Sequence, residues 1–547
     1  MQWQYLSDTK IEDDDDLLET IIKNRKIDDH QQFFNSPNPL DITVSEYGID
    51  DKQLKLAVAR IQSAIKNQEK VLIYGDYDAD GITATSIIWL TLNHLGLIAE
   101  PFIPDRLKHG YGVSTKALEE IFANQKPDLV ITVDNGIVAH EPLEWLKEQG
   151  VEVIVTDHHQ PTKKPISSFA TVHSTLISGG AVAWVLAREL SRDNSSSLLD
   201  LVAISTVADQ MSLLGVNRSL VKFGLSSLRQ DQREGVKALF KVSSVDASGV
   251  DVGTIGFMIA PRINAAGRIA QGLVAMRLLC TDDAQSAQRI AKSLNLLNQE
   301  RQTLTSDQFA EATKQAKEQK DKKLLFITSP TFHEGVIGLL AGRLTEKFSK
   351  PSIVVSTEGE VSKASARSLS GINITKLIRL VEDDLLSVGG HELAAGFSAQ
   401  TNKIEIIKQK MFELADDLVD PNLLIPQLRI DAVIGKNLLQ AKIVTLFEKL
   451  QPYGLGNPEP VVALHKLNLI DFKLIGPDKN HLKLALKIDS DESQIIEAVG
   501  WRMGARFKDL SPNQLLDIAC CLEINRWNGK ESLQLRMKDF KESFSSS

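Results

Sequence analysis

Asp76-Tyr77-Asp78-Ala79-Asp80-Gly81 sets three carboxylates on alternate positions and closes on a glycine, directly after the apolar run Val71-Leu72-Ile73-Tyr74. Negative charge so concentrated costs free energy unless a positive partner offsets it, and a divalent cation is the usual partner. The opening matches a calcium-binding EF-hand loop, but that loop needs a bidentate Glu six residues past its glycine. Ile87 occupies that position. The flanks also differ: residues 71–74 read as a buried strand and 82–95 as a helix, where an EF-hand has two helices. A solvated acidic turn is the alternative, and ligands at neighbouring strand ends decide between the two.

Such ligands are present. The β-branched run at 129–133 leads into Asp134-Asn135-Gly136, and the run at 151–156 leads into Asp157-His158-His159. A helical segment, 139–149, lies between them and is closed by Gly150. In a βαβ alternation the C-terminal strand ends line one ligand crevice. Asp209 ends the apolar, helix-like run 201–209, so its carboxylate would be buried and would need a partner. A helix-end or salt-bridge role is the alternative for that residue. Asp76, Asp78, Asp80, Asp134, His158, His159 and Asp209 thus form one donor set. Carboxylates and imidazoles without thiolates suit Mg²⁺ or Mn²⁺, and the histidines tilt the choice toward Mn²⁺. The set is large enough for two ions sharing one carboxylate, the arrangement that supports in-line attack of water on a phosphodiester.

In this order the motifs resemble those of the DHH phosphoesterases, and within them the bacterial exonucleases that degrade single-stranded DNA from the 5′ end. The resemblance continues through Gly110-Tyr111-Gly112, Thr206-Val207-Ala208-Asp209, Pro261-Arg262-Ile263-Asn264-Ala265-Ala266-Gly267-Arg268 and Gly389-Gly390-His391, over nearly the whole chain. It implies direct metal ligation by Asp78, Asp80, Asp134, His158 and Asp209, with Asp134 bridging. Asp76 and His159 would complete the catalytic group with Asp134, His159 contacting the scissile phosphate. It also implies that Arg106, Arg262, Asn264, Arg268, Ser365, Arg367, Gly389, Gly390 and His391 bind the substrate's phosphates. Residue chemistry agrees: arginine grips phosphate with a planar fork, and paired glycines let backbone N–H groups approach an anion. An ordinary surface arginine is the alternative for each guanidinium. His333 reads as the start of a helix whose N-terminus could favour an anion.

Whole-chain properties bound the reading. The chain has 547 residues, enough for several domains; 43% are apolar and the net charge is −9. The charge argues against nonspecific coating of duplex DNA, but a local basic groove can bind phosphate on an acidic protein. Three cysteines, Cys280, Cys520 and Cys521, form no CxxC pair and no disulfide framework, as in a reducing cytoplasm. The chain shows no signal pattern and no run apolar enough to span a bilayer.

The expected fold is α/β: two α/β lobes, a DHH domain and a DHH-associated domain, joined by a long helix, with a C-terminal OB-fold β-barrel. Residues 1–50 read as a lead-in packed on the first lobe, 51–281 as the metal lobe and 282–322 as the connecting helix. Residues 323–425 read as the second lobe, 426–540 as the barrel and 541–547 as a disordered tail. Alternating runs at 467–474, 482–488, 494–501 and 516–523 are the predicted barrel strands. Trp501 with Arg502, and Trp527 with Arg526, are candidates for stacking on a single strand, with core packing as the alternative. One departure from the family pattern stands out: the connection 160–178 is short and holds no Asn, with His173 near the place of an expected Asn-Pro motif.

The resemblance implies a metal-dependent 5′-to-3′ exonuclease releasing nucleoside 5′-monophosphates in DNA repair and recombination, with a single-strand-binding protein and a helicase as partners. Two other readings remain: a DHH phosphodiesterase of short oligonucleotides or cyclic dinucleotides, and an inactive DHH replication scaffold. The C-terminal barrel argues against the former and the complete donor set against the latter.

Overall fold

The β-branched runs pair as the alternation predicts. In a computed structural model, five parallel strands, β1 (Val71–Tyr74), β2 (Glu100–Phe102), β3 (Leu129–Val133), β4 (Glu152–Asp157) and β5 (Ala170–His173), form one sheet in the order β2-β1-β3-β4-β5. The structure describes the chain except residues 8, 107, 111, 231, 270, 489–494, 528 and 544–547, and the side chains of 15, 268, 269 and 527. Successive side chains go to opposite faces. Val71, Ile73, Leu129, Ile131 and Ile154 enter one core, while Leu72, Tyr74, Val130, Val153 and Val155 enter the other. Burial on both faces explains why these strands read as continuous apolar runs.

The strand order reverses at β1, which opens a crevice between the ends of β1 and β3, where open α/β sheets bind ligands. Three helices pack behind it: α1 (Ala79–His94), α2 (Gly179–Leu190) and α3 (Leu199–Ala208). Leu199–Val207 is buried all round, as expected of a helix without a polar face. The shortened connection is not empty. It supplies β5, which sets His173 opposite Asp157 in register.

Helix α4 (Ala260–Ile269) follows a π-helical turn, Ile255–Ile259. Helix α5 (Ala284–Glu318) then runs 35 residues, about 50 Å at the α-helical rise. Asp283 caps it, accepting from the backbone N–H groups of Gln285 and Ser286. Its Ala287, Ala291 and Leu294 belong to the core of the metal lobe, while Ala312 and Ala316 belong to a core of the second lobe. One helix therefore ties the two lobes together.

The second lobe is a mixed sheet of β6 (Leu325–Ser329), β7 (Ser352–Ser356), β8 (Val361–Arg367), β9 (Ser387–Gly390) and β10 (Ala394–Gln400), in the order β9-β10-β8-β7-β6. Helix α6 (Ile337–Phe348) packs on one of its faces. His333 does not begin this helix; it lies in the preceding turn, where its Nδ1 accepts from the Gly335 N–H.

These lobes make up one compact unit, Pro37–Ile425, and a smaller unit combines Met1–Ser36 with Pro426–Ser547. In the smaller unit Val462–Ile475, His481–Lys487, Ile495–Gly500, Lys530–Glu542 and Leu515–Trp527 close into a five-stranded barrel. The expectation that residues 1–50 pack together on the metal lobe fails for the first 36. Gln2–Tyr5 pairs in parallel with Gln427–Ile430, and Lys10–Ile11 pairs with Ala432–Ile434, so these segments gain strand hydrogen bonds that a lead-in would lack. Trp3 is buried there and its Nε1 donates to Asp539 Oδ2 at 2.8 Å, while Arg25 pairs with Asp431 at 2.9 Å. Trp3→Ala should cost the smaller unit about 3–5 kcal/mol. Hydrogen exchange checks this: amides of Leu515–Trp527 should lose protection while those of β1 and β3 keep theirs, and equal protection throughout would contradict it.

Candidate active site

Three strand ends, the start of α1 and the C-terminal end of α3 deliver the acidic side chains. Asp78 caps α1, its Oδ1 accepting from Gly81 N at 3.0 Å, and Asp76 Oδ1 accepts from Tyr77 N at 2.8 Å. Asp80 faces the N-terminus of α2. Its Oδ2 accepts from Gly179 N at 2.8 Å, and its Oδ1 from Gly180 N at 2.7 Å and Ser205 Oγ at 2.5 Å. Those N–H groups carry the positive end of the helix dipole. Asp134 ends β3 with φ +59°, a left-handed conformation uncommon for a residue with a side chain. Non-glycine residues are held there mainly at functional sites. A Cβ on Gly179 would stand 2.3 Å from Asp134 Oδ1, so only glycine permits this approach.

The histidines are set by Asp157. Its Oδ1 accepts from His158 N at 2.7 Å and His159 N at 3.1 Å and lies 2.8 Å from His159 Nδ1; its Oδ2 accepts from Ile137 N. His173 Nε2 donates to the His159 carbonyl at 2.7 Å, so the short connection braces this pair. His158 Nε2 lies 3.2 Å from Asp134 Oδ1 and 3.7 Å from both Asp80 Oδ2 and Asp209 Oδ2.

All seven donors expected from the sequence converge. Three overlapping sets, Asp134/His158/His159, Asp80/His158/Asp209 and Asp76/Asp78/Asp134, each bring ligand atoms within 4.8 Å of one another. Asp134 and His158 each belong to two sets. Sequence reasoning missed Asp157, Gly179, Gly180 and Ser205 as site residues. Asp157 could have been found as the acid beside the histidine pair, and Gly179-Gly180 as glycines opening an apolar helix.

Burial and mutual repulsion govern the protonation of this cluster. Burial, then the charge of Asp78, lifts Asp76 well above the usual carboxylate range; burial, then Asp80, does the same to Asp134. Asp78 is raised for the same reasons, and Asp209 is pushed up to about 8 by burial and by Asp80 and Asp78. Burial lowers His158. Burial also opposes a charge on His159, but the hydrogen bond and charge of Asp157 prevail and raise it to about 9. Asp134 Oδ1 is buried without a hydrogen bond. A donor set of several carboxylate oxygens that repel one another, with imidazole alongside, fits hard divalent cations.

The basic side chains come from the loop after β2, from α4 and from the second lobe. Helix α4 lies directly on the acidic turn: a Cβ on Gly267 would meet the Tyr77 carbonyl at 1.9 Å. Asn264 Oδ1 accepts from Ala79 N at 2.8 Å, so this residue anchors the acidic turn through its side-chain carbonyl. Arg262 Nη1 donates at 2.5 Å to the carbonyl of Met258, in the π-helical turn. Arg106 sits 5.6 Å from the centre of the Tyr77 ring. Arg367 Nη1 lies 3.5 Å from Ser365 Oγ, and burial and then the Arg106 charge lower its pKa.

Ser365, Gly396 and Gly389 stand opposite one another across β8, β10 and β9. A Cβ on Gly389 would meet nothing, so bare backbone floors the sheet beside Ser365 and Arg367. Gly390 has φ +140°, and its neighbour His391 is exposed. The side chain of Arg268, and Tyr111 entirely, lie outside the described residues. In the smaller unit Trp501 is 55% exposed, its ring edge-on to His481, which favours stacking over a core role; the Trp527 side chain lies outside the described residues.

Comparison with known proteins agrees with this division. The family model for the DHH family, N-terminal domain, matches residues 70–206, the DHHA1 domain matches 321–417 and the RecJ OB domain matches 430–539. The single-stranded-DNA-specific exonuclease RecJ of Thermus thermophilus is 34% identical over 501 residues, covering 90% of this chain and 71% of that protein. This chain belongs to the RecJ family. RecJ of Bacillus subtilis is 35% identical over 500 residues, which cover 89% of this chain and 63% of that protein. The crystal structure of Thermus thermophilus RecJ in complex with Mn²⁺ superposes with a TM-score of 0.84 at 29% identity, covering 100% of this chain and 80% of that one. Its complex with Mg²⁺ gives 0.78 at 28% identity, covering 100% and 79%. Among the described residues no helix is long and apolar enough to cross a membrane.

The protonation pattern of this RecJ-family site has a measurable sign. Asp209 and His159 both bind protons more tightly folded than unfolded. The stability they contribute is therefore full at low pH and is lost as pH rises, toward about 8 for Asp209 and about 9 for His159. In EDTA the protein should melt at a lower temperature at about pH 9 than at about pH 6, and Asp209→Asn should flatten that difference. Mg²⁺ should raise the melting temperature more at the higher pH, where protons no longer compete with it. A melting temperature in EDTA that stays level or rises across this interval would contradict the electrostatics.

Proposed function

We propose that this RecJ-family chain is a metal-dependent exonuclease that hydrolyses single-stranded DNA from its 5′ end to nucleoside 5′-monophosphates. The observation that carries the reading is the convergence of the three donor sets, with the Asp134 carboxylate common to two of them, so that one residue can serve two ions. Relatives named single-stranded-DNA-specific exonucleases, with structures in complex with Mn²⁺ and Mg²⁺, support it. Asp78, Asp80, Asp134, His158 and Asp209 would hold the two Mn²⁺ or Mg²⁺ ions, with Asp134 between them. When bound, such ions supply a hydroxide nucleophile at neutral pH and neutralise charge on the phosphoryl oxygens.

The chain's own residues do the rest. Asp157 fixes the His159 ring through Nδ1 and favours its charged form, which would let its other nitrogen donate to a non-bridging phosphate oxygen as charge develops. Asp76, with its raised pKa, is suited to hold a proton beside that centre. Arg262, Arg367 and Ser365 would grip the 5′-phosphate, with Arg106 covering the adjoining phosphate and the Gly389-Gly390 backbone flooring the site. The division of labour would be catalysis in 51–281, positioning by the helix in 282–322, phosphate binding in 323–425 and strand binding in 426–540, where Trp501 and Arg502 offer a stacking face. DNA repair and recombination in the cytoplasm, beside a single-strand-binding protein and a helicase, is the setting such an activity would serve.

The test is a nuclease assay on single strands labelled at either end and blocked at the 5′ or the 3′ end, with Mn²⁺, Mg²⁺ or EDTA. Mononucleotides should appear only with metal and only from an open 5′ end. Asp134→Ala should lower the rate by more than roughly 100-fold with an unchanged circular dichroism spectrum. Release from the 3′ end, cleavage in EDTA, or hydrolysis of cyclic dinucleotides alone would overturn the reading.

A further inference from the structure

Helix α5 holds two arginines through asparagines. Arg262 Nε donates to Asn295 Oδ1 at 3.0 Å, and Arg301 donates from Nε and Nη2 to Asn298 Oδ1 at 3.2 and 2.8 Å. The two asparagines are three residues apart, on one face of the helix. Asn298 is 1% exposed and Arg262 9% exposed. Farther along, the exposed Arg343 of α6 rests over the Phe309 ring of α5 at 5.7 Å, with Lys347 at 5.2 Å from the same ring.

The company these cations keep is unusual for this chain. Four other arginines that are buried or partly buried take carboxylates: Arg25 pairs with Asp431, Arg188 with Glu189, Arg233 with Asp200 and Arg536 with Glu523. Carboxylates are not scarce, since 71 acidic residues face 62 basic ones. Among the described residues no carboxylate pairs with Arg301; burial, and then the charges of Arg343 and Arg262, lower its pKa. A carboxamide oxygen fixes a guanidinium as an aspartate would, but leaves its charge intact. Aligned, partly desolvated cations without a counter-charge are matched to an anion from outside, and a phosphodiester is the anion that a guanidinium fork fits.

We infer that Arg301 and Arg343 form a second phosphate seat, which takes a backbone phosphate of the bound strand neighbouring the one held at Arg262, Arg367 and Ser365, and that Asn298 is the positioning residue for Arg301. The inference rests on the single-strand reading above and adds to it a specific register along α5. The connecting helix is then a ruler for the strand as well as a link between lobes.

Salt dependence of binding tests this. Each phosphate contact to a single strand contributes about 0.7 to the slope of log K against log salt. Anisotropy with a 5′-phosphorylated 12-nucleotide strand, with Ca²⁺ in place of Mg²⁺, gives that slope. Arg301→Ala and Arg343→Ala should each flatten it by about 0.7, and Arg301→Lys should restore most of it. Asn298→Asp should flatten it as much as Arg301→Ala, because the carboxylate keeps the hydrogen bonds but cancels the charge. A purely structural Asn298 would tolerate that change with a wild-type slope. Arg343 is exposed, so its variants test the seat even where an Arg301 variant fails to fold. Wild-type slopes in Asn298→Asp and Arg343→Ala, in a protein whose wild type degrades single strands, would overturn the second seat alone. A wild type that neither binds nor degrades single strands would overturn the functional reading beneath it.

Discussion

Repulsion among buried carboxylates at the end of one parallel sheet shapes the metal lobe. Asp76, Asp78, Asp80, Asp134, Asp157 and Asp209 converge where the strand order reverses, and burial raises the cost of charging most of them. The fold meets that cost with backbone dipoles. The first N–H groups of α2 hold Asp80, the first turn of α1 holds Asp78, and Asp157 collects three N–H groups and an imidazole. Close approach depends on glycine, since side chains at Gly179 or Gly81 would collide with Asp134 or Asp76. The apolar mass of the sheet and of α3 supplies the stability that the site consumes.

The complementary charge lies in the same unit. Helix α4 touches the acidic turn through Gly267 and Asn264, carries Arg262, and is linked through Asn295 to α5. Helix α5 in turn shares a core with each lobe. A substrate with a phosphate at the acidic centre and another among the arginines would thus be measured by rigid elements. The net charge of −9 conceals this polarity, because the separation of the two signs governs phosphate binding and their sum does not.

Much of this was legible in the sequence, for reasons that also explain what was not. Strands buried on both faces announce themselves as β-branched runs, and the acids that end them announce the crevice, so Asp76 to Asp80, Asp134, His158, His159 and Asp209 could be placed together. Gly179, Gly180 and Ser205 serve through backbone or hydroxyl contacts to Asp80, which leave no charge pattern to read. Asn264 reads as a phosphate ligand among arginines; that its carbonyl also holds the Ala79 N–H, 185 residues away, is a contact the sequence does not announce. Gln2–Tyr5 and Lys10–Ile11 pair with strands beyond position 426, a partnership that local periodicity does not encode. The last barrel strand, Lys530–Glu542, was missed because polar residues cover much of its length.

In the proposed function Asp134, common to two donor sets, would serve both metal ions. Electron paramagnetic resonance of the protein titrated with Mn²⁺ tests it most directly. Two ions joined through Asp134 should give two equivalents bound and a spin-coupled spectrum in place of the isolated six-line signal, and Asp134→Asn should abolish the coupling. An uncoupled six-line spectrum at saturation, or coupling that survives Asp134→Asn, would contradict the account.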